Sequence, residues 1–365
     1  MKLNRLQSVD LFRGLVMFLL VAEGTGLYSS LSKLTSDGTF WGWLVGQFHH
    51  HPWNGLRFWD LVQPYFMFIV GVVMVYSVGR RSDRGDSWSQ IFKHILIRCV
   101  ILFFLGVMLH CGYNKELVWE LWNVLTQLSF TILVSFLFMR LPLRTQIIIS
   151  FAILGLSEFL YRIWPVEGYN QPFTPDQNFG AWMDMQLMGH LSGGHWVAIN
   201  ALPTTAHTMW GVIAGRILRS SRTDSKKIKL LVFGGVIGLL LGYGLDIAGV
   251  TPIIKRICTS SFVIVSGGWC LLILALFYWL VDVAGFKKGV FFFIVVGMNP
   301  IFIYLFANTV GSQWFNDFVA IFSGGFLSWI GLAQPVVAVF NALTVLALEW
   351  YLCYWLYRRE IFIKI

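Results

Sequence analysis

Phe48-His49-His50-His51-Pro52-Trp53-Asn54-Gly55-Leu56-Arg57-Phe58-Trp59-Asp60 runs straight into Leu61-Val62-Gln63-Pro64-Tyr65-Phe66-Met67-Phe68-Ile69-Val70. The apolar run extends over residues 57 to 79, close to the ~20 residues that a helix needs to cross a ~30 Å hydrocarbon layer. The first stretch therefore reads as a loop packed with imidazoles and indoles at the mouth of a membrane span. Asp60 sits at the edge of that span, where a carboxylate is costly unless paired or near water. It reads equally as the acceptor of a histidine N–H and as a helix cap.

Working outward, about ten such stretches are predicted, near residues 11–30, 57–79, 89–110, 119–139, 145–163, 200–218, 228–248, 259–282, 290–310 and 331–357. Composition agrees: 57% of residues are hydrophobic, only 12% are charged, and mean hydropathy is +0.68, whereas charged residues make up about 25% of a soluble domain. The expected fold is all-α, a polytopic membrane helical bundle forming a single domain over 1–365. Short cytoplasmic loops retain Lys and Arg. Placing both termini in the cytoplasm collects Lys2, Arg5 and Arg13, Arg80, Arg81 and Arg84, Arg140 and Arg144, the basic run 216–229, Lys287 and Lys288, and Arg358, Arg359 and Lys364 on that side. This bias accounts for the net charge of +9, so no nucleic-acid partner is implied.

Glu23-Gly24-Thr25-Gly26 has no small-x-small cleavage pattern, so the first apolar run reads as a retained helix. Cys99, Cys111, Cys258, Cys270 and Cys353 show no metal-ligand spacing and no metal is expected; Cys111 and Cys258 read as separate small side chains or as an outer pair. His94 and His110, sixteen residues or ~24 Å apart on one helix, cannot share a haem iron. The charge bias puts His50 on the outer face. There it is suited to take a proton from an amine or hydroxyl, its ordinary pKa of ~6.5 lying near neutrality; the plain alternative for three histidines is a polar loop.

Several short motifs recur in order. Arg5-Leu6-Gln7-Ser8-Val9-Asp10-Leu11-Phe12-Arg13-Gly14 is followed by His50-x-x-Trp53-Asn54-Gly55, by Asp60-Leu61-Val62-Gln63-Pro64, and late in the chain by Gly297-Met298-Asn299. Leu202-Pro203 through Arg216, and Thr259-Ser260-Ser261-Phe262 through Asp282-Val283, join them. Together they resemble the heparan-α-glucosaminide N-acetyltransferase family, and more closely its bacterial inner-membrane relatives associated with amino-sugar use. The resemblance implies that acetyl-CoA enters from the cytoplasm and that its acetyl group reaches the amine of a glucosamine on the far side. It maps the family's active histidine onto His50, with His49 and His51 beside it, and suggests a homodimer surrounded by membrane lipid. Where the family has a functional Asn near the end of the first span, this chain has Glu23.

The expected site residues follow. His50, Glu23 and Asp60 are candidates for catalysis; Arg13 and Arg216 for the CoA phosphates, with Asn299 helping to position the acetyl group; His49, His51, Trp53 and His195 for the sugar. A pantetheine arm of roughly 20 Å, the length of six extended residues, is shorter than the ~30 Å core, so CoA must enter a funnel, which Asn123 and Gln127 can line. The segment from about 164 to 199 is expected to be a long outer loop over the mouth. Two other functions stay open: a secondary transporter of amino sugars, suggested by the ten-span layout and by Asp60, Asp246 and Glu349 near or within spans, and, as the resemblance to membrane acyltransferases permits, an O-acyltransferase with a hydroxyl acceptor.

Overall fold

The computed structural model describes residues 6–363, so Lys2, Arg5 and Lys364 lie outside the described residues. Fifteen α-helices follow one another: α1 (Gln7–Gly24), α2 (Leu27–Ser32), α3 (Phe40–Gly46), α4 (Val62–Asp83), α5 (Trp88–Asn114), α6 (Val124–Phe138), α7 (Leu143–Ile163), α8 (Phe179–Met188), α9 (Ala201–Arg219), α10 (Asp224–Ile247), α11 (Ser260–Phe277), α12 (Val290–Gly297), α13 (Pro300–Phe306), α14 (Asn316–Trp329) and α15 (Gln334–Arg358). A 3₁₀ turn, Phe58–Leu61, leads into α4, and π-helical segments follow α11 (Tyr278–Val283) and α13 (Ala307–Phe315). Among the described residues there is no strand, so the chain is all-α.

Helix starts follow local chemistry. Ser87 and Gln90 form a reciprocal cap on α5, with Gln90 Oε1 accepting the Ser87 N–H at 2.7 Å. Asn123 caps α6 by accepting the Leu125 N–H at 2.7 Å, which starts that helix five residues later than expected. Among the described residues, six helices are long and apolar enough to cross a bilayer. Counting α12 with the helical stretch 300–329 as one broken span brings the number to seven. The chain is an integral membrane protein, and its long helices keep large apolar side chains exposed. Leu240 and Phe233 on α10 stay more than 60% exposed, a cost that hydrocarbon removes and water does not.

Three expectations are corrected. The ninth span is not continuous: it bends by 78° between α12 and the stretch 300–329, because Pro300 lacks an N–H and forces Asn299 out of helical geometry (φ −124°, ψ 57°). The region between residues 310 and 331 is helical, not a linker. The segment 164–199, expected to be a loop, contains α8, capped by the Asn178 side chain on the Ala181 N–H at 3.1 Å.

The chain divides into two compact units. The first comprises the residues up to His50, Arg57–Val62 and Leu280 onward; the second comprises His51–Leu56 and Gln63–Trp279. In the second unit α4 and α9 cross at glycines. A Cβ on Gly71 would lie 2.0 Å from the Thr208 carbonyl oxygen, and one on Gly211 equally close to that of Phe68. Only glycine permits that approach. The same unit satisfies polar groups inside its spans: Gln63 donates to Gln127, and His207 is buried against the Ser266 hydroxyl at 2.8 Å. Asp246 accepts the Ile253 N–H at 2.9 Å.

Candidate active site

In the first unit, the two ends of the 47–62 loop are stitched by one side chain and one backbone carbonyl, both of Gln47. Gln47 O accepts the Trp59 N–H at 2.8 Å and Gln47 Oε1 accepts the Phe58 N–H at 3.3 Å. This fixes the 3₁₀ turn that carries Asp60. Asp60 Oδ2 takes the Arg57 N–H at 2.9 Å, the cap, while Oδ1 lies 2.9 Å from His50 Nδ1. The two roles foreseen for Asp60 are thus filled by its two oxygens. Arg57 Nη1 also donates to the His50 carbonyl at 3.2 Å.

Asp60 is 1% exposed at its side chain and His50 is 31% exposed. An ionised carboxylate only accepts, so Nδ1 carries the proton and the imidazole lone pair is on Nε2. A buried carboxylate behind a half-open imidazole is the arrangement of a general base, since the anion stabilises the imidazolium that forms.

Aromatic side chains wall this pair. Trp59 stands beside His50, Tyr28 packs edge-on to Trp59 and stacks on Phe48, with ring centroids about 5 Å apart. Burial, and then the Glu23 charge, push the Tyr28 phenol well above its ordinary range. Glu23 is therefore within electrostatic reach of the same aromatic wall, at the exposed end of α1. Its neighbour Gly24 holds the Asn316 amide on its carbonyl at 2.8 Å. His49 is occupied by the Ser32 hydroxyl at 2.7 Å. Tyr28, Gln47 and Arg57 escaped the sequence reading; Arg57, three residues ahead of Asp60, had the spacing of a cap and was the one detectable signal.

The motifs from the two ends of the chain meet in this unit. Asp282 caps α1 by accepting the Gln7 and Ser8 N–H groups at 3.1 and 3.2 Å, and Arg13 pairs with Asp10 at 3.1 Å. A Cβ on Gly14 would lie 2.0 Å from the Phe293 carbonyl oxygen, and one on Gly297 2.9 Å from the Gly14 Cα. Asn299 is fully buried. Its amide donates to the Ile361 carbonyl at 3.0 Å and accepts the Ile363 N–H at 2.7 Å, so the expected acetyl-positioning group is bound to backbone.

The second unit holds the remaining candidates. Trp53 donates from its indole to the Phe173 carbonyl at 2.8 Å and meets His195 edge to face. His195, at a left-handed φ of 59°, places Nδ1 2.6 Å from Asp176. Beside this pair in sequence, Trp196 lies under two cations, Lys255 and Arg256, each about 5 Å from its ring centre. His51 belongs to this unit and His49 to the first. Arg216 gives one guanidinium nitrogen to the carbonyls of Met139 and Leu141, at 3.3 and 2.7 Å.

A third histidine–carboxylate group was not foreseen either. Glu120 faces His110, His190 and Asn114 together. Burial acts to raise its pKa, but hydrogen bonds from the two histidines outweigh it and hold the carboxyl below its ordinary range. Nearby, burial lifts Asp184 to about 6, against hydrogen bonds from the Ala198 N–H and the Trp122 indole. Every cysteine is free; Cys111 accepts from the Val118 N–H and buried Cys258 donates to the Lys255 carbonyl.

A family model described as heparan-alpha-glucosaminide N-acetyltransferase, catalytic, matches residues 5–244, about two thirds of the chain. The chain belongs to this family. Among curated relatives, the heparan-alpha-glucosaminide N-acetyltransferase of Homo sapiens is 27% identical over 99% of this chain and 60% of its own length. That of Mus musculus is 26% identical over 83% of this chain and 53% of its own length. The chain thus spans a little over half the length of the curated relatives it matches.

The heparan-alpha-glucosaminide N-acetyltransferase match includes His50, Asp60, Glu23, Arg13, Trp53, His195 and Arg216. Asn299 falls beyond it, though within the alignment to the human relative, which covers nearly the whole chain.

Proposed function

We propose that this chain is a transmembrane N-acetyltransferase: acetyl-CoA from the cytoplasm donates its acetyl group to the amine of glucosamine, or of a glucosamine-ended saccharide, on the opposite face. Family membership supports the acetyl-transfer chemistry. The single observation that carries the assignment of His50 is its 2.9 Å contact with buried Asp60. In this reading His50 Nε2 takes the amine proton as nitrogen attacks the thioester carbonyl. The new N–C bond forms, the C–S bond breaks and the thiolate leaves with CoA, while Asp60 holds the imidazolium. An acetyl-imidazole on His50 is the covalent variant, and labelled acetyl trapped on the enzyme without acceptor distinguishes it.

Glu23, beside the Tyr28 wall, orients the incoming acetyl or amine. Trp53 and His195, together with His49 and His51, bind the sugar by stacking and hydrogen bonds. Arg13, freed from Asp10, is the proposed phosphate contact, while Arg216, expected to share that role, is held by the Met139 and Leu141 carbonyls and is proposed to position the contacts instead. Asn299, its amide bound to backbone, serves by shaping the segment at 361–363 instead of touching the acetyl group. We take the ten helical stretches as crossings of one acyltransferase domain, with both ends cytoplasmic, in a bacterial inner membrane and as a homodimer.

Proteoliposomes loaded with acetyl-CoA test this reading. Acetylation of external glucosamine is the expected result. Sugar accumulating inside without acetylation would make the protein a transporter, and equal turnover of glucose would make it an O-acyltransferase.

A further inference from the structure

At the ends of α4, α5, α6 and α9 in the second unit lies a cavity of about 340 Å³, within the range of small-molecule sites. Three arginines line it, Arg140, Arg216 and Arg219, with Asp83 the one carboxylate. A bias of basic residues towards one membrane face explains why arginines occur here. It does not explain how they are held.

Arg140 lies flat on Trp88, its guanidinium carbon 3.7 Å from the ring centre, and Trp88 in turn stacks on buried Phe136 at 4.3 Å. Stacking fixes the plane of the guanidinium while leaving its N–H edge to an incoming group. Among the described residues, no carboxylate or carbonyl takes that edge. Arg216 is committed to the carbonyls of Met139 and Leu141, so it builds the wall and orients its neighbours. Arg219 reaches only Asp83, at 3.3 Å, in a pair more than one-third exposed on both sides, and so exposed a pair is weak and easily exchanged.

We propose that this cavity binds a phosphate group, held by the stacked Arg140 and by Arg219 once it leaves Asp83. Arg216 acts there as a positioning residue. Two sources share this chemistry: the nucleotide end of CoA and the headgroup of an anionic phospholipid. Both present anionic, non-bridging phosphate oxygens that a planar guanidinium fork can pair with. The inference does not depend on the acetyl-transfer reading, since it rests on a cavity and a charge arrangement outside the His50 loop.

Purified full-length protein, stripped of lipid in a neutral detergent, is titrated with two probes: 3′-phosphoadenosine 5′-phosphate and dioctanoyl phosphatidylglycerol, with dioctanoyl phosphatidylcholine as the control for lipid without net charge. Saturable binding of either anionic probe is expected, weakened at least tenfold by Arg140→Gln and by Arg219→Gln. Arg140→Lys, which keeps the charge and loses the fork, should fall between. Nucleotide binding alone identifies CoA as the source, and lipid binding alone identifies the membrane. Binding of neither probe, or binding that both glutamine variants leave at wild-type strength with unchanged melting temperature, would overturn the proposal. His50→Ala should bind the preferred probe as wild type does, which keeps this result separate from the fate of the catalytic reading.

Discussion

His50 in the first unit and His110 in the second each turn Nδ1 toward a carboxylate, and the two carboxylates keep different company. Asp60 is almost wholly buried, with one oxygen toward His50 and the other accepting the Arg57 N–H. Glu120 serves two histidines and an amide at once. His190 faces an acceptor at both ring nitrogens, Glu120 at 3.2 Å and the Met188 carbonyl at 2.9 Å. Both contacts are hydrogen bonds only when the ring carries two protons. In the proposed reading Asp60 orients His50 for proton transfer, whereas Glu120 clasps two histidines and an amide. A histidine beside a carboxylate is therefore not in itself a catalytic mark. The two carboxylates differ in burial: the Asp60 side chain is 1% exposed and that of Glu120 13%.

That contrast can be broken by matched substitutions. The largest effect is expected from Asp60→Asn, which removes the charge that stabilises the imidazolium: turnover of glucosamine in acetyl-CoA-loaded proteoliposomes should fall by about 10²- to 10⁴-fold. Glu120→Gln in the same assay should stay within about threefold of wild type, because nothing reacts at a saturated clasp. A fall for Glu120→Gln as deep as for Asp60→Asn would erase the distinction.

A smaller effect is expected at the aromatic wall. Glu23→Gln keeps the shape and removes the charge that helps push the Tyr28 phenol upward, and its kcat should change by about tenfold with KM for sugar nearly constant if it acts on the acetyl group. A change in KM alone would move Glu23 to the acceptor site.

The smallest expected effect is on stability. Because the Glu120 carboxyl is held below its ordinary range in the folded state, its contribution is present above the unfolded value of about 4.5 and disappears as pH falls through the lower folded value. Glu120→Gln should thus lower the melting temperature at pH 7, on the order of 2 °C. The gap from wild type should narrow as pH falls below that unfolded value and close once pH has passed the lower folded one. A gap that is constant with pH would show that the clasp does not depend on the carboxylate charge.

Much of this was legible in the chain, for physical reasons that can be named. Long apolar runs announce helices because a bilayer admits almost nothing else, so α4, α5, α7, α10, α11 and α15 lie where hydropathy places them. The His50–Asp60 relation was readable because both lie in one short loop, and a carboxylate at the edge of a span demands a partner. The clasp at Glu120 was not, since His190 comes from 70 residues away. The bend at Asn299 was hidden because hydropathy is blind to backbone geometry: Met298-Asn299-Pro300 contains the break, yet the apolar run continues through it. Tyr28 was missed for a related reason. Its role depends on α2 folding back beside Phe48 and Trp59, which no periodicity encodes.

The claim at the centre of the account is that His50, and not the other histidines, moves the amine proton. Its most direct test is single-turnover acetylation of external glucosamine by His50→Ala, His49→Ala, His51→Ala and His110→Ala proteins, reconstituted side by side and matched for folded protein by melting temperature. The account predicts loss of at least about 10²-fold for His50→Ala and measurable turnover in each of the others. Turnover retained by His50→Ala, or lost in His49→Ala or His51→Ala instead, would contradict it.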